Sequence, residues 1–119
     1  SAAGYDKATG RGSVAVEFVC TSVTSPALEM IGALGTFAGP AVLNANPHMR
    51  YTDLYSHGYT LLDVDPTRIQ AEWYNVSDVK TLAGRAHTFA KAYQVDSGSA
   101  HAVESTVPAE PIPGRAPLA

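Results

Sequence analysis

The sequence contains little charge and a single cysteine. Asp, Glu, Lys and Arg make up 16 % of its 119 residues, whereas soluble domains average about a quarter. A small independent domain exposes a large surface, so this low charge indicates that something else covers part of the surface of the chain. Cys20 has no second cysteine with which to form an internal disulfide or a zinc site. Because Cys20 lies in an apolar strand pattern, we expect a buried and inert thiol.

Other absences argue against several classes of function. The eight basic residues form no cluster, and the net charge is −3, so nucleic-acid binding is not expected. No apolar run approaches the roughly 20 residues of a membrane span, and no signal-peptide pattern opens the chain. Neither a G-x-S-x-G sequence nor a glycine-rich phosphate loop is present. The start at Ser1, without a methionine, leads us to expect a cleaved or processed product.

The clearest pattern is a β-hairpin between residues 57 and 74. Residues 57–64 carry apolar side chains on both faces, which predicts a strand covered on both sides. Residues 69–74 alternate between apolar and polar side chains, as a half-buried strand does. Residues 65–68 join the two as a turn, in which Asp65 caps the following amides and Pro66 presets φ.

Further elements are predicted on both sides of this hairpin. Strands are expected at 13–21, 49–54, 87–95 and 101–107, short helices at 26–34 and 40–45, and one helical turn at 77–82. Four prolines after position 106 predict an extended or disordered tail at 107–119, which leaves 1–106 as one domain. Together these elements predict a mainly β fold with a short helical insertion. Its antiparallel strands would form part of a sandwich.

Hydroxyl and histidine residues provide two candidate sites. A cluster of hydroxyls after the first strand could contact a phosphate or an oxyanion, although loop and helix-cap hydrogen bonds explain it more simply. Its members are Thr21, Ser22, Thr24 and Ser25. The best metal candidate is the set His48, Asp53 and His57, but the paired spacing of usual histidine ligands is missing, so packing at turns or the surface is the preferred interpretation.

Carboxylates and arginines provide two weaker hypotheses. Paired carboxylates could perform acid–base chemistry, although strand and turn roles explain them better. The candidates are Asp53, Asp63, Asp65 and Glu72. Arg50 and Arg68 could clamp an anion, but each is isolated in the sequence. Residue types alone therefore indicate a scaffold without an active site.

Four segments taken together resemble a known family. They are residues 12–26 (GSVAVEFVCTSVTSP), 46–51 (NPHMRY), 57–66 (HGYTLLDVDP) and 70–74 (QAEWY). In order and approximate spacing, they resemble the C-terminal part of PhoD-type alkaline phosphatase/phosphodiesterases, which are metallophosphoesterases. The combination of EFV-x-TS-x-TSP with NPH and HGY carries the resemblance.

The resemblance implies an exported bacterial enzyme, periplasmic or extracellular, that hydrolyses phosphate esters with iron and calcium. In that family the metal ligands belong to upstream motifs such as GD, GN-H and GD-x-H, none of which occurs here. We therefore assign no catalytic or metal-binding residue, and expect this chain to bind no cofactor and to be inactive alone. Its strands would complete one sheet of a metallophosphoesterase-like α/β sandwich, with the loop after Thr21 nearest the active site.

Two functions remain open at this stage. In the first, the chain is the C-terminal segment of a metal-dependent phosphate-ester hydrolase, and its partner is the N-terminal metallophosphatase portion of the same enzyme. In the alternative, it is an autonomous β-rich binding or structural module without catalytic activity. A small enzyme using His48, Asp53 and His57 is a weaker third hypothesis. An exposed half-sandwich also favours pairing with a further strand, including one from a second copy.

Overall fold

The computed structural model describes residues 4–23, 38–77 and 86–110. Their elements, in chain order, are helix α1 (Ala38–Ala45) and strands β1 (Gly58–Val64), β2 (Arg68–Val76), β3 (His87–Asp96) and β4 (Val103–Ser105). The four strands form one antiparallel sheet in the order β1-β2-β3-β4. The prediction of a mainly β fold with antiparallel strands and a short helix is thus confirmed at this level.

The β1–β2 hairpin forms as predicted, because its turn is stabilised locally. The amide of Asp65 donates to the carbonyl of Arg68 (3.0 Å), which closes the turn. The Asp65 carboxylate accepts hydrogen bonds from the hydroxyl and the amide of Thr67, each at 2.6 Å, and from the amide of Arg68 at 3.1 Å. Led by the bond from the Thr67 hydroxyl, these contacts lower the pKa of Asp65.

Strand β3 extends one residue beyond the predicted 87–95, whereas β4 is shorter than the predicted 101–107. Only Ala92, Tyr93 and Gln94 of β3 have partners in β4. The turn between the two strands is closed by the amide of Ser99, which donates to the carbonyl of Asp96 (3.0 Å). Because few residues pair, β4 is a short edge strand.

After β4 the chain crosses one face of the sheet, which is why the pairing ends there. The carbonyl of Val107 accepts a hydrogen bond from Gln70 Nε2 (3.1 Å), and the amide of Ala109 donates to Glu72 Oε1. The first residues of the Pro-rich segment are therefore in contact with β2. Of that segment the structure describes residues 107–110.

The hydrophobic core lies on the other face, which we call the core face. Its buried residues are Tyr93, Val95 and Ala102, against which pack Val16, Phe18, Tyr51, Ile69 and Trp73. The Trp73 ring makes edge-to-face contacts with Phe18, Tyr51 and Tyr93, at centroid distances of 6.0, 5.6 and 6.4 Å. Because such offset geometry is favourable, Trp73 holds two segments without regular secondary structure against the sheet.

These two segments, residues 13–21 and 49–54, were predicted as strands, and both predictions are wrong. Residues 13–21 have no regular secondary structure, but the side chains of Val16 and Phe18 pack against the core, as the alternation indicated. A strand also needs a neighbour that shares its backbone hydrogen bonds. None of the described residues provides one.

In residues 49–54 the backbone bends around a carboxylate. Asp53 Oδ1 accepts hydrogen bonds from the amides of Tyr55 (2.9 Å) and Ser56 (2.8 Å). Such local side-chain bonds offer the backbone an alternative to a sheet ladder. The chain consequently turns into β1 and does not continue as a strand.

Three burial predictions are also wrong. Leu62 and Val64 are 52 % and 67 % exposed, so β1 is not covered on both sides. Cys20 is exposed, because no described core residue packs against it, although the alternation places it on the side of Val16 and Phe18. Strand β2 is not half-buried: its polar residues Gln70 and Glu72 are only 4 % and 2 % exposed. It lies between two neighbouring strands, and the segment after β4 covers its polar face.

The structure describes only some of the residues that were predicted to be helical. Helix α1 confirms the prediction at 40–45 and begins two residues earlier, at Ala38. The predicted helix at 26–34, and residues 78–82 of the predicted helical turn, lie outside the described residues. Within the described ranges, no helix has both the length and the apolar character that crossing a membrane requires.

Candidate functional site

A groove of about 950 Å³ lies on the core face between the two irregular segments. One wall is formed by residues 14–20, which we call the open segment, and the other by residues 48–54. Trp73, Asn75 and Tyr93 of the sheet also line it.

The backbone of the open segment has no pairing partner. No amide or carbonyl of these residues takes part in a backbone–backbone hydrogen bond within the described ranges. Two carbonyls accept bonds from side chains: Ala15 from the Ser13 hydroxyl (3.1 Å) and Val19 from Trp73 Nε1 (3.0 Å). The open segment therefore presents donors and acceptors along both of its edges.

Arg50 on the opposite wall has a guanidinium nitrogen without a partner. Its Nη2 is hidden from solvent and makes no hydrogen bond, while its backbone carbonyl accepts the Tyr93 hydroxyl (3.2 Å). Leaving a buried donor unpaired costs about 1–3 kcal/mol, and more when the donor is charged. The described residues thus leave Arg50 Nη2 without a hydrogen-bond partner, which makes this atom a candidate contact for an anionic group.

The predicted clamp of two arginines does not form, because Arg68 is engaged elsewhere. Its guanidinium contacts Asp63 at 3.1 Å and Asp65 at 3.6 Å. The Nη1 atom of Arg68 is hidden and has no partner, but two carboxylates already compensate its charge. Arg50 and Arg68 therefore have different surroundings and do not act as a pair.

The hydroxyl cluster lies where the first segment meets β1. Thr21 Oγ1 donates to the carbonyl of Ser56 (2.8 Å), and the carbonyl of Ser22 accepts the amide of Gly58 (3.3 Å). The other two members, Thr24 and Ser25, lie outside the described residues. The Thr21 hydroxyl thus has a structural partner, and a position of this loop near a substrate stays a prediction.

The structure does not bring His48, Asp53 and His57 together as metal ligands. Within the described ranges, no group of three or more His, Cys, Asp or Glu residues could hold a metal ion. His48 is exposed, and His57 Nδ1 lies 3.3 Å from the carbonyl of Ser22. The hypothesis of a small metal enzyme built on these three residues is therefore wrong.

Asp53 is instead a structural carboxylate. Burial acts to raise its pKa, but hydrogen bonds from Ser56, Tyr55 and Asn75 outweigh that effect, so the pKa of Asp53 is lowered. Burial, together with the nearby charge of Asp53, raises the pKa of the Tyr51 hydroxyl. Asp53 therefore remains charged at neutral pH and fixes the bend that precedes β1.

The candidate carboxylates do not form an acid–base pair, but one of them is the centre of a buried polar network. Glu72 Oε1 accepts from Gln70 Nε2 (2.9 Å) and from the amide of Ala109, and Oε2 accepts from the Tyr74 hydroxyl (2.8 Å). Burial and then the bond to Glu72 raise the pKa of Tyr74 to about 12.

Sequence reasoning missed this network, although one signal was available. Gln70, Glu72 and Tyr74 occupy alternate positions of one strand, so their side chains share a face. Because apolar and polar residues alternate in this strand, the polar face was predicted to be exposed to solvent. What buries it is the segment that contains Ala109, more than thirty residues later.

Comparison with known proteins gives a family for the chain. Residues 1–73 match the PhoD-like phosphatase family, and this range includes the open segment, Arg50 and the first part of β2. Neither a curated protein nor a solved structure matches the chain.

Proposed function

Since the chain belongs to the PhoD-like phosphatase family, we propose that it is the C-terminal segment of a metal-dependent phosphate-ester hydrolase of the alkaline phosphatase/phosphodiesterase D type. It would complete the β-sandwich of the catalytic domain. The observation that carries this proposal is the family match over residues 1–73. An exported, periplasmic or extracellular location is part of the proposal.

The way the described residues pack supports a role as one portion of a larger domain. The open segment has unpaired backbone groups, and Leu62 and Val64 of β1 are more than half exposed. A complete domain usually buries such apolar side chains and shares such backbone groups with a neighbouring strand. The N-terminal metallophosphatase portion of the enzyme is the partner that we propose.

By resemblance, the complete enzyme would use iron and calcium. The described residues of this chain form no group of ligands that could hold a metal ion. We therefore place the metal centre in the N-terminal portion. This chain would contribute the second wall of the site, with the loop of Thr21, Ser22, Thr24 and Ser25 nearest the substrate.

The experiment is a phosphatase assay by reconstitution. The 119-residue chain and the N-terminal metallophosphatase portion of a PhoD-like phosphatase are assayed alone and mixed, with iron and calcium. The substrates are p-nitrophenyl phosphate and bis(p-nitrophenyl) phosphate, as a monoester and a diester. We expect hydrolysis in the mixture, abolished by EDTA, and none from this chain alone. A mixture that associates but hydrolyses neither substrate would contradict the proposal.

A second candidate is an autonomous β-rich binding or structural module. It is favoured by the core that the chain already has around Tyr93, Val95 and Ala102. Native and denaturing mass spectrometry of the purified sample separates the two candidates. A monodisperse 12.5 kDa monomer that does not associate with the N-terminal portion supports the module, whereas a co-purifying larger polypeptide supports the hydrolase.

A further inference from the structure

The open segment has the backbone of a strand that lacks its neighbours. Residues 14–20 have no regular secondary structure, and Val16 and Phe18 both face the core, as alternate residues of an extended chain do. The amides and carbonyls of residues 14–20 make no backbone–backbone hydrogen bond within the described ranges. Unpaired backbone groups along an extended segment are the feature that an added β-strand recognises. Side-by-side pairing with another strand would satisfy these groups without moving the segment off the core.

The side chains of the open segment favour pairing at an edge over coverage from above. Val16 and Phe18 point to the core and hold the segment in place. Away from the core, Glu17 is exposed and charged, and it lies two residues before Val19, which is 66 % exposed. Burying this carboxylate under an apolar layer would be costly, whereas a strand at the edge leaves it in water.

Arg50 indicates the chemistry of the incoming strand. Its hidden Nη2 atom has no partner, and it lines the same groove as the open segment. Three other ionisable side chains of the groove could compensate Arg50, but none does so. Glu17 lines the groove and makes no ion pair or hydrogen bond with Arg50. Asp53 is occupied by the amides of Tyr55 and Ser56, and His48 is exposed. A carboxylate that enters the groove would form a charge-assisted hydrogen bond with Arg50.

We propose that the open segment and Arg50 together form a docking site for a β-strand that carries an Asp or Glu side chain. Resting on the proposed function, we assign this strand to the N-terminal metallophosphatase portion. A second copy of this chain fits less well. Symmetric antiparallel pairing of two open segments about Glu17 would place two carboxylates opposite each other, which is destabilising.

The direct test is amide hydrogen exchange of residues 14–20. Exchange is measured in the 119-residue chain alone and in an equimolar mixture with the N-terminal portion of a PhoD-like phosphatase. We expect fast exchange in the chain alone, because these amides have no partner, and at least about tenfold slower exchange in the mixture. Unchanged exchange in a mixture that demonstrably associates would overturn the proposal.

Proline substitutions test the pairing itself. In an extended chain, successive amides point to opposite edges, so Val14→Pro and Ala15→Pro each remove a donor from a different edge. At least one should raise the Kd for the N-terminal portion about tenfold or more. Neither should lower the Tm of the isolated chain appreciably, because these amides are unpaired there. Val14→Ala and Ala15→Ser keep the amides and serve as matched controls.

Substitutions of Arg50 test the carboxylate. Arg50→Met keeps most of the side-chain volume and removes the charge, so the Kd should rise about tenfold or more and depend less on salt. The Tm of the isolated chain should stay the same or rise, because an unpaired buried donor has been removed. Arg50→Lys should restore part of the affinity. Unchanged affinity for Arg50→Met contradicts the carboxylate assignment.

These measurements separate the docking site from the proposed function. Association with slowed exchange at residues 14–20, but without hydrolysis of either phosphate ester, supports the docking site and contradicts the phosphatase. Hydrolysis without slowed exchange at residues 14–20 supports the phosphatase and contradicts the docking site. Slowing that appears in the chain alone as its concentration rises identifies a second copy as the occupant and overturns the assignment to the N-terminal portion.

Discussion

Glu72 and Arg50 both carry charged atoms that are hidden from water, but only Glu72 is satisfied. Three donors surround the Glu72 carboxylate, from Gln70, Tyr74 and the amide of Ala109. Arg50 Nη2 has none. A buried charge is tolerated when hydrogen bonds replace water. Glu72 therefore has its charge satisfied within the described fold, whereas Arg50 belongs to the docking site that we propose.

Replacing Glu72 should destabilise the chain. Glu72→Gln removes the negative charge and turns one acceptor oxygen into a donor that faces other donors. We expect a loss of about 1–3 kcal/mol in the free energy of unfolding, measured by urea denaturation. The control is Glu104→Gln: this exposed carboxylate pairs with Lys91 at 2.7 Å, and its loss should cost less than about 1 kcal/mol. If both substitutions lower the free energy of unfolding equally, the network around Glu72 stabilises the fold no more than the surface ion pair does.

Asp53 should make the free energy of unfolding decrease at acidic pH. Its pKa in the folded chain is lowered, because hydrogen bonds from Ser56, Tyr55 and Asn75 outweigh the opposing effect of burial. An unfolded Asp has a pKa of about 3.9. The stabilisation is therefore present above about pH 4 and is lost as the pH falls through the folded value.

The measurement is the free energy of unfolding between pH 7 and pH 2. Asp53→Asn keeps an acceptor for the bend but does not titrate as a carboxylate, so the acid-side decline should become shallower than in the unmodified chain. Glu110→Gln, at an exposed carboxylate, is the control and should leave the slope unchanged. The interpretation fails if the two variants have the same slope.

Among the elements, the hairpin is defined by local chemistry and the open segment is not. Asp65 and its neighbours close the β1–β2 turn through bonds that span only three residues. The open segment has strand-like alternation, but no described residue pairs with its backbone. For this reason the pattern of residues 13–21 predicted a strand that is present here only as an extended, unpaired segment.

At Gly58, the first residue of β1, the neighbouring strand leaves no space for a side chain. A Cβ atom at this position would overlap the carbonyl oxygen of Tyr74 on the neighbouring strand. Gly58→Ala should therefore lower the free energy of unfolding by about 1–3 kcal/mol, because backbone atoms must move apart. Urea denaturation measures the loss.

Gly39 provides the matched control for this substitution. It lies in α1, and a Cβ atom there meets nothing within 4 Å. Gly39→Ala should leave stability unchanged or raise it by up to about 1 kcal/mol, since alanine is the better helix former. A loss at Gly39 as large as that at Gly58 would mean that the overlap with Tyr74 is not the cause.

At the scale of the whole molecule, β1 at the edge of the described sheet leaves apolar side chains exposed. Leu62 and Val64 are exposed on β1, which is an edge strand of the described sheet. Charged residues make up only 16 % of the chain, so few like charges keep copies apart. A seven-residue edge with exposed apolar side chains is a site of strand-to-strand association.

We therefore expect the isolated chain to self-associate as its concentration rises. Val64→Lys places a charge on this edge and should shift the sedimentation-velocity distribution towards the monomer. Val103→Lys changes a comparably exposed valine on β4, where only three residues form the edge strand, and should have the smaller effect. A larger effect at Val103 would move the association site to the opposite edge.

The sequence by itself determined the hairpin, β3 and the helix α1. The turn at Asp65 and the alternation of strands act between residues that are near in sequence, so their physical cause is readable there. The family resemblance is also a property of the sequence, and residues 1–73 confirm it.

Only the tertiary structure decided which faces are covered and which polar groups are satisfied. Glu72 is buried because the amide of Ala109 reaches it from a distant segment, and Cys20 is exposed because nothing described packs on its side. Burial depends on what lies across the sheet, and a strand depends on a neighbour that can be far away in the chain. The unpaired open segment and the unpartnered nitrogen of Arg50 are therefore visible in the fold, whereas no local pattern of residues indicates them.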